Sequence, residues 1–366
     1  MRFTINREVL LRPLQQVAGV VERRQTLPVL ANVLLIVEGN ELSLTGTDLE
    51  VELVAKVILD DSPVPGEITV PARKLMDICK SLNVDTDIIF QLEEQKLIIK
   101  SGRSRFSLST LPAGEFPNLE DGPSAIEFNI EQNDLKRLIS KTAFAMAQQD
   151  VRYYLNGMLL ELKDHFFRTV ATDGHRLALC EAKLLGEFPE TQVIVPRKGV
   201  LELLRLFSED GEKVSIVIGT NHIKARSSEL VFTSKLVDGK FPDYDRVVPK
   251  GGQITLVGNR AELKQSFSRA AILSNEKYRG VRIQLSDGNM KIVANNPEQE
   301  EAEEEVSVDY TGHELEIGFN VGYLLEVLTV IEEDNVRISL SDTNSSALVE
   351  SAEDSDSIYV VMPMRI

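Results

Sequence analysis

The 366-residue sequence contains one ordered set of landmarks three times, and no other feature constrains the fold as strongly. Between the first two copies the landmarks are offset by 125 residues. They are Phe3–Ile5 and Phe128–Ile130, Leu44–Asp48 and Thr169–Asp173, Val70–Leu75 and Val195–Val200, with Lys291–Asn296 and Phe319–Leu324 in a more diverged third copy. The period is about one domain long, which predicts three similar domains, 1–122, 126–250 and 253–366.

Each copy combines helical and strand patterns, so the predicted fold class is α+β, with two helices packed on β-sheets in every domain. Leu10, Leu14 and Val17 recur at helical spacing in the first copy. A second amphipathic helix is expected to begin with a proline at or near its first position, at Pro71 and Pro196. Alternating apolar residues between Gly, Asp and Asn turns indicate strands in the remainder of each copy.

The ends of the chain and its two cysteines indicate a cytoplasmic protein. The first eight residues carry charges where a signal peptide needs an apolar stretch, and no run approaches the roughly 18 apolar residues of a membrane span. Cys79 and Cys180 lie in apolar stretches, which favours buried reduced thiols over a disulfide or a metal site. We therefore expect no cofactor and no membrane partner.

The formal net charge of −17 argues against a nucleic-acid partner until its distribution is considered. Segments 5–24, 73–80, 134–152, 196–206, 261–282 and 320–330, which hold the six predicted helices, contain 19 Lys and Arg against 9 Asp and Glu. The acidic excess therefore lies in the strands and loops. If each helix packs its apolar face on its own sheet, basic residues face outward, and repetition produces a surface for a polyanion.

The first and third copies also differ in charge. The stretch from Lys96 to Phe106 has the pattern of one strand with four basic and no acidic residues, whereas the stretch from Glu298 to Glu305 has six Glu and no basic residue. Opposite charges at opposite ends favour head-to-tail association, which closes into a ring when the rotation per subunit permits. A solvated acidic loop without a partner is the alternative.

The sequence lacks the familiar catalytic motifs. It has no phosphate-binding loop, no nucleophile elbow and no metal-binding His or Cys spacing. Asp173 and His175 could serve a small-molecule hydrolase, but their counterparts Thr47-Asp48 and Asn295-Asn296 are not followed by a histidine at the matching position. A hydrolase and a protein-binding scaffold without DNA encirclement remain the alternatives to a DNA-encircling ring.

Several stretches together resemble the DNA polymerase III β subunit family, the bacterial sliding clamps, and the resemblance covers the whole chain. They are Ser101–Thr110, Gln149–Gly157, Ala171–Leu177, Val195–Gly199, Lys240–Tyr244 and Val361–Ile366. The resemblance implies a head-to-tail homodimeric ring of repeated clamp domains, with helices around duplex DNA and sheets outside. It also implies no enzymatic activity, and partners that include the replicative polymerase, the clamp loader and other clamp-motif proteins.

The family motifs also imply three sets of site residues. The set for sequence-independent DNA contact is Arg24, Arg73, Gln149, Tyr153, Tyr154, Arg197, Lys198, Arg205, Arg269 and Lys277. The peptide-binding set is Leu155, Thr172, Gly174, His175, Arg176, Leu177, Pro242, Arg246, Val247, Ser346, Val360, Met362, Pro363, Met364 and Arg365. The dimer-interface set is Lys74, Lys96, Arg103, Arg105, Phe106 and Leu108 opposite Ile272, Leu273, Glu298, Glu300, Glu301, Glu303 and Glu304.

Overall fold

The computed structural model describes residues 1–21, 27–60, 62–119, 124–207, 212–250, 252, 254–353 and 356–365, with the side chains of 124 and 125 excepted. Arg24, one of the predicted DNA contacts, lies outside the described residues. In the described part of the chain, no helix is long and apolar enough to cross a membrane.

The helices and strands follow the three copies of the repeat. The first copy contains β1 (Arg2–Asn6), α1 (Arg7–Val20), β2 (Asn32–Glu38), β3 (Glu41–Thr47), β4 (Val51–Ile58), β5 (Gly66–Pro71), α2 (Ala72–Ser81), β6 (Asp87–Glu93), β7 (Lys96–Ser101) and β8 (Ser104–Ser109). The second contains β9 (Ser124–Glu131), α3 (Gln132–Thr142), β10 (Gly157–Thr172), β11 (Arg176–Pro196), α4 (Arg197–Leu206), β12 (Lys213–Gly219), β13 (His222–Arg226) and β14 (Leu230–Lys235). The third contains β15 (Ile254–Asn259), α5 (Arg260–Ala270), β16 (Gly280–Ser286), β17 (Asn289–Asn295), β18 (Glu301–Ser307), β19 (Leu315–Asn320), α6 (Val321–Val330), β20 (Asn335–Leu340), β21 (Ala347–Ser351) and β22 (Ser357–Val361).

Strand pairing confirms the repeat. In every copy the first strand leads directly into the first helix and pairs antiparallel with the strand that follows the second helix. The matching pairs are Phe3 with Phe90, Phe128 with Ile216, and Leu256 with Ile338. In the second copy, β10 spans the positions of β2 and β3, and β11 spans those of β4 and β5. The α+β prediction is therefore confirmed for all three copies.

Side-chain caps explain where several helices begin. The amide oxygens of Asn6, Asn259 and Asn320 accept hydrogen bonds from backbone N–H groups in the first turns of α1, α5 and α6, at 2.8 to 3.1 Å. The second helices of the first two copies start one residue later than their prolines. Pro71 and Pro196 end the preceding strands because their backbones are still extended, and the helices begin at Ala72 and Arg197.

The chain forms two compact units, and their boundaries do not coincide with those of the three copies. The first unit holds residues 1–133 and 201–236, and the second holds 134–200 and 237–366. Strand pairing across copies explains the difference. In the first unit β4 pairs with β14 within an eight-stranded sheet, and in the second β11 pairs with β22 within a six-stranded sheet. We call these two pairings the first joint (β4 with β14) and the second joint (β11 with β22).

The basic stretch from Lys96 to Phe106 is a hairpin, so the prediction of one strand was wrong. Ser101 pairs with Ser104, and Gly102 takes a φ of 55° in the turn between β7 and β8. The hairpin buries Leu97, Ile98 and Ile99 on β7, and its four basic side chains remain exposed. The turn therefore concentrates the positive charge at one edge of the sheet.

Candidate functional sites

The segment from Thr172 to Leu177 contains a tight turn that its own side chains hold in place. The Thr172 hydroxyl donates to the carbonyl of Arg176 at 2.5 Å and accepts from the Gly174 N–H at 3.1 Å. The Asp173 carboxylate accepts from the backbone N–H groups of His175 and Arg176 at 2.9 and 3.1 Å. Gly174 has a φ of 89°, a left-handed conformation in which glycine is least strained.

The first copy contains the same turn without the histidine. Thr47 donates to the carbonyl of Val51 at 2.9 Å and accepts from the Leu49 N–H, and Asp48 accepts from the N–H groups of Glu50 and Val51. These four hydrogen bonds match those around Thr172 and Asp173 atom for atom. Asp173 is therefore occupied by a structural task that the repeat requires in both copies.

Arg176 connects this turn to two neighbouring elements of the second unit. Its guanidinium donates to Asp173 at 3.2 Å, to the carbonyl of Phe144 at 2.7 Å and to Glu326 on α6. It also lies over the rings of Phe144 and Tyr323, at 5.2 and 4.7 Å from their centroids, and His175 stacks on Tyr323. Burial lowers the pKa of Arg176, yet the group stays protonated because arginine titrates far above neutral pH.

These partners of Arg176 are not among the residues predicted from the sequence. Tyr323 and Glu326 lie in the apolar helix α6, where Glu326 is the single charged residue. That isolated charge was the available signal, because an acid on an apolar helix usually has a partner. Phe144 gave no such signal, since it contributes a backbone carbonyl and a ring face.

Beneath the turn, both strands of the second joint contribute to an apolar cluster. Leu159, Val170, Leu177 and Val360 pack there with Phe241 and Tyr244, and Leu177 pairs directly with Val360. The Tyr244 hydroxyl donates to the buried carboxylate of Glu161, which fixes the short helical turn Tyr244–Arg246 beside the cluster. The turn and the segment that follows Phe241 border this cluster, where the family motifs imply a peptide-binding groove.

The chain end forms another edge of this groove. The Met362 N–H donates to the His175 carbonyl at 2.9 Å, and the Met364 N–H donates to the Gly318 carbonyl at 2.9 Å. Met362, Pro363 and Met364 are half-buried, and the last two line a cavity of 390 Å³. Flexible thioethers beside an open cavity suit a surface that adapts to short peptides.

The structure brings most of the predicted peptide-binding residues together in the second unit. Leu155, Thr172, Arg176, Leu177 and Val360 are buried. Val247 is half-buried against the apolar cluster, and Ser346 is half-buried next to Ala347, which pairs with Val361. The exposed members of the set are His175, Pro242, Arg246 and Arg365.

Three of the predicted DNA contacts lie on one ordered loop, residues 148–156. Asn156 and Asp150 bind each other through backbone and side chain at 2.8 and 2.9 Å, and Arg152 donates to the Asp150 carboxylate at 2.9 Å. Hydrogen bonds from the Arg152 side chain, the largest cause, lower the pKa of Asp150 to about 2. The loop presents Gln149, whose φ is 57°, and Tyr153, whose side chain is exposed, while Tyr154 packs against the apolar cluster.

The remaining predicted DNA contacts differ in their exposure and in whether they already pair with an acidic residue. Arg73 is exposed on α2, and Lys277 lies 5.1 Å from the centroid of the Tyr278 ring. Arg197 and Lys198 are half-buried at the start of α4. Arg205 and Arg269 already have acidic partners, Glu202 at 2.6 Å and Glu304 at 2.6 Å. These two arginines can reach a phosphate only by sharing or exchanging those partners.

The prediction that basic helix residues face outward is wrong for three of them. Arg7 donates to the carbonyls of Cys79 and Lys80, which joins α1 to α2. Arg137 pairs with Asp134 and Asp356, and Lys141 donates to the carbonyl of Val330 at 2.5 Å. Because unpaired helix-end carbonyls need donors, part of the basic excess is used inside the protein.

Two strands, β8 and β18, carry six of the 13 predicted interface residues, and both are outer strands of their sheets in the described part of the chain. The sheet of the first copy runs β1-β6-β7-β8, and one sheet of the third runs β18-β17-β16-β19. β8 carries Arg105, Phe106 and Leu108, with Lys96 and Arg103 in the same hairpin, and Lys74 is exposed on α2. β18 carries Glu301, Glu303 and Glu304, and it follows the exposed Glu298 and Glu300. Ile272 and Leu273 form a short helical turn after α5, and 76% of Ile272 is exposed.

The two joints have one register. Each copy contains one row of directly paired residues that crosses four strands. The rows are Phe3–Phe90–Ile99–Phe106, Phe128–Ile216–Ala225–Phe232 and Leu256–Ile338–Val349–Tyr359, and residues at the same place in these rows are equivalent. Likewise Leu53, Ala178 and Ala302 are equivalent, since they pair with Gly46, Ala171 and Ala294. Phe232 lies opposite Leu53 in the first joint, and Tyr359 lies opposite Ala178 in the second. Each joint therefore pairs the same two positions of the repeat.

Comparison with known families covers almost the whole chain. Models described as the N-terminal, central and C-terminal domains of the DNA polymerase III beta subunit match residues 1–120, 129–243 and 245–365. The chain belongs to the DNA polymerase III β subunit family. The resemblance noted in the sequence is thereby confirmed.

Individual relatives agree along their full length. The β sliding clamp of Pseudomonas aeruginosa is 66% identical and that of Escherichia coli K12 is 55% identical, each over 100% of both chains. The crystal structure of the DNA polymerase III subunit β from Pseudomonas aeruginosa superposes with a TM-score of 0.98 and covers 100% of both chains. The Caulobacter crescentus protein, 39% identical, gives a TM-score of 0.94 with the same coverage.

Proteins of this family are DNA sliding clamps, processivity factors for DNA polymerases, and the chain shares that role. It has no catalytic activity of its own, which agrees with the structural use of Asp173. The hydrolase alternative is therefore rejected.

Proposed function

We propose that two copies of the chain join head to tail into a ring that encircles duplex DNA in the cytoplasm and tethers the replicative polymerase to it. The observation that carries this proposal is the shared register of the two joints. The three copies provide three strands at the β8 position, which are β8, β14 and β22, and three at the β4 position, which are β4, β11 and β18. Three joints are therefore possible, and the chain forms two of them internally. The strands left over are β8 and β18.

The repeat predicts how β8 of one copy meets β18 of another. With the register of the two joints, Phe106 lies opposite Ala302, Arg105 opposite Glu303 and Ser107 opposite Glu301. The burial of the aromatic residues supports this pairing. Phe232 and Tyr359, which lie in formed joints, are 1% and 0% exposed, whereas Phe106 is only half-buried. One pair beside the aromatic position, Arg105 with Glu303, has opposite charges, so the contact is attractive at long range and apolar at its centre.

A designed disulfide tests the register. Ser107→Cys together with Glu301→Cys should give a covalent dimer under mild oxidation, because the two Cβ atoms face each other across the new pair. Ser107→Cys with Glu303→Cys is the matched control, which places the second thiol two residues away on the same strand face. Equal cross-linking of both variants, or none of the first, contradicts the proposed pairing. The buried Cys79 and Cys180 do not compete.

The same variant, loaded onto DNA while reduced and cross-linked only afterwards, tests encirclement, because a ring closed covalently at both contacts cannot be opened for loading. Once loaded by the clamp loader, the ring should stay on circular DNA and be lost from the same DNA after linearisation, with no dependence on DNA sequence. The proposed contacts are the residues named above on helices and on the 148–156 loop. Equal loss from circular and linear DNA would leave the protein-binding scaffold as the function.

The groove of the second unit is proposed as the site where the polymerase, the clamp loader and other clamp-motif proteins bind. Its support is the apolar floor at the second joint and the half-buried methionines at the chain end. Deletion of residues 362–366 should abolish binding of a polymerase-tail peptide in a titration. His313→Ala, a change on an exposed loop, is the control and should leave binding unchanged. Undiminished binding after the deletion would move the site elsewhere.

A further inference from the structure

The first unit contains a cavity at the position that the peptide groove occupies in the second. The cavity has a volume of 310 Å³ and lies beside the first joint. Its lining includes Leu34, Ile36, Thr45, Glu52, Glu67 and Phe116. Leu34 and Phe116 are each only 5% exposed and belong to one buried cluster, so the floor of the cavity is firmly packed.

The offset of 125 residues relates this cavity to the floor of the peptide groove. Leu34, Thr45 and Phe116 correspond to Leu159, Val170 and Phe241, all members of the apolar cluster beneath the groove. Glu52 corresponds to Leu177, because Glu52 and Leu177 each pair across an equivalent joint. The backbone that makes a groove at the second joint is therefore present at the first joint as well.

The polarity of the two grooves differs along one row of side chains. At the second joint the row is Leu177, Val360 and Leu348, which pair in that order across three strands. At the first joint the equivalent row is Glu52, Thr233 and Lys224.

A second position, across the cavity from Glu52, is acidic in the cavity and uncharged in the peptide groove. Glu67 stands where the peptide groove has Gln192, which binds Glu161. The Glu52 carboxylate accepts a hydrogen bond from the Leu119 N–H at 3.2 Å, and burial raises the pKa of Glu52. A further cationic hydrogen-bond donor that reaches a half-buried carboxylate such as Glu52 stabilises its charged form.

We propose that this cavity is a second peptide-binding site, for a protein segment that presents a Lys or Arg side chain next to an apolar one. The cation binds Glu52, Glu67 adds negative charge across the cavity, and the apolar side chain covers Leu34, Ile36 and Phe116. A clamp-motif peptide does not fit, since its apolar side chains would remove the charged groups of Glu52 and Lys224 from water without adding a polar contact to them. The volume suits one or two side chains and not a folded domain.

This proposal rests on the function proposed for the peptide groove, because the cavity is compared with that groove. The experiment therefore measures binding at the two sites separately. The probe is the blocked tetrapeptide acetyl-Lys-Leu-Phe-Lys-amide, titrated into the full-length protein with labelled methyl groups. Its matched control is the same peptide with Glu in place of both Lys. Signals from Leu34 and Val54 report the new site, and signals from Leu177 and Val360 report the peptide groove.

We expect the Lys peptide to shift the Leu34 and Val54 signals, both in the intact protein and after deletion of residues 362–366. Glu52→Gln should weaken this binding about tenfold, the usual effect of losing one charge-assisted hydrogen bond. Glu41→Gln removes the same charge from a surface pair with Lys56 and should leave the affinity unchanged.

Three results overturn the proposal. They are equal binding of the Lys and Glu peptides, equal effects of the two glutamine substitutions, and shifts confined to Leu177 and Val360. In each case the peptide groove is judged separately by its own deletion experiment, so that failure of the second site does not count against it.

Discussion

At the scale of single residues, the carboxylates that look most reactive in the sequence hold loops in shape. Asp173 and Asp48 accept the same pair of backbone hydrogen bonds in two copies of the repeat. Asp150 does comparable work in the 148–156 loop, where it holds Arg152. Arg152 in turn donates to the carbonyl of Asp173 at 3.3 Å, so the loop with the predicted DNA contacts touches the turn of the peptide groove.

The low pKa of Asp150 leads to a prediction on pH. Hydrogen bonds from Arg152 lower this pKa to about 2, against about 3.9 for an unperturbed Asp. Because the folded-state pKa is the lower one, the stabilisation of the loop is fully present above about pH 4 and is lost as the pH falls through 2. A carboxyl-carbon NMR titration should show Asp150 still ionised at pH 3. A midpoint near 4 would show that the pairing with Arg152 does not form in solution.

At the scale of elements, β8 and β18 are the outer strands whose counterparts in the other copies form joints, while they form none in the described part of the chain. Exposed strand edges pair readily with other chains, and proteins usually protect them with charge. Here the protection has opposite sign on the two edges, basic on the β7–β8 hairpin and acidic on β18. Each edge therefore repels the same edge of a second copy and attracts the oppositely charged edge, which favours head-to-tail pairing over a symmetric contact.

The apolar turn beside β18 should provide much of the affinity of this contact. Changing Ile272 and Leu273 together to Ala removes exposed apolar surface, and we expect dimerisation to weaken by on the order of 100-fold. Sedimentation velocity across a dilution series measures the effect. Val84→Ala is the control, because Val84 is similarly exposed at 69% but lies outside the proposed interface. A dimer as stable as the unaltered protein would remove these two residues from the interface.

At the scale of the whole molecule, the boundaries of the sequence repeat are not the boundaries of the compact units. The first joint pairs Leu53, Val54 and Ala55 with strand β14, which lies more than 170 residues further along the chain. Both joints bury a large aromatic side chain, Phe232 in one and Tyr359 in the other. A cut between copies therefore exposes an apolar strand edge on at least one fragment.

This arrangement predicts that the fragment 1–122 does not behave as a stable monomer. It retains β4 but lacks β14, so the edge that carries Leu53 and Ala55 becomes free. We expect self-association or partial unfolding, visible as a concentration-dependent sedimentation coefficient and a broad thermal transition by circular dichroism. The full-length protein measured at the same molar concentrations is the control. A sharply melting monomer would show that the first copy folds on its own.

Local patterns in the sequence determined the repeat, the six helices, the apolar faces and the charged ends, because helix periodicity, turn residues and charge depend on near neighbours. They could not determine which strands of different copies pair, since pairing depends on contacts between residues far apart in the chain. For the same reason the hairpin at Gly102, the partners of Arg176 and the internal use of Arg7 and Lys141 came only from the tertiary structure. The three copies are similar in sequence, but packing gives them different roles: it closes two joints and leaves β8 and β18 open.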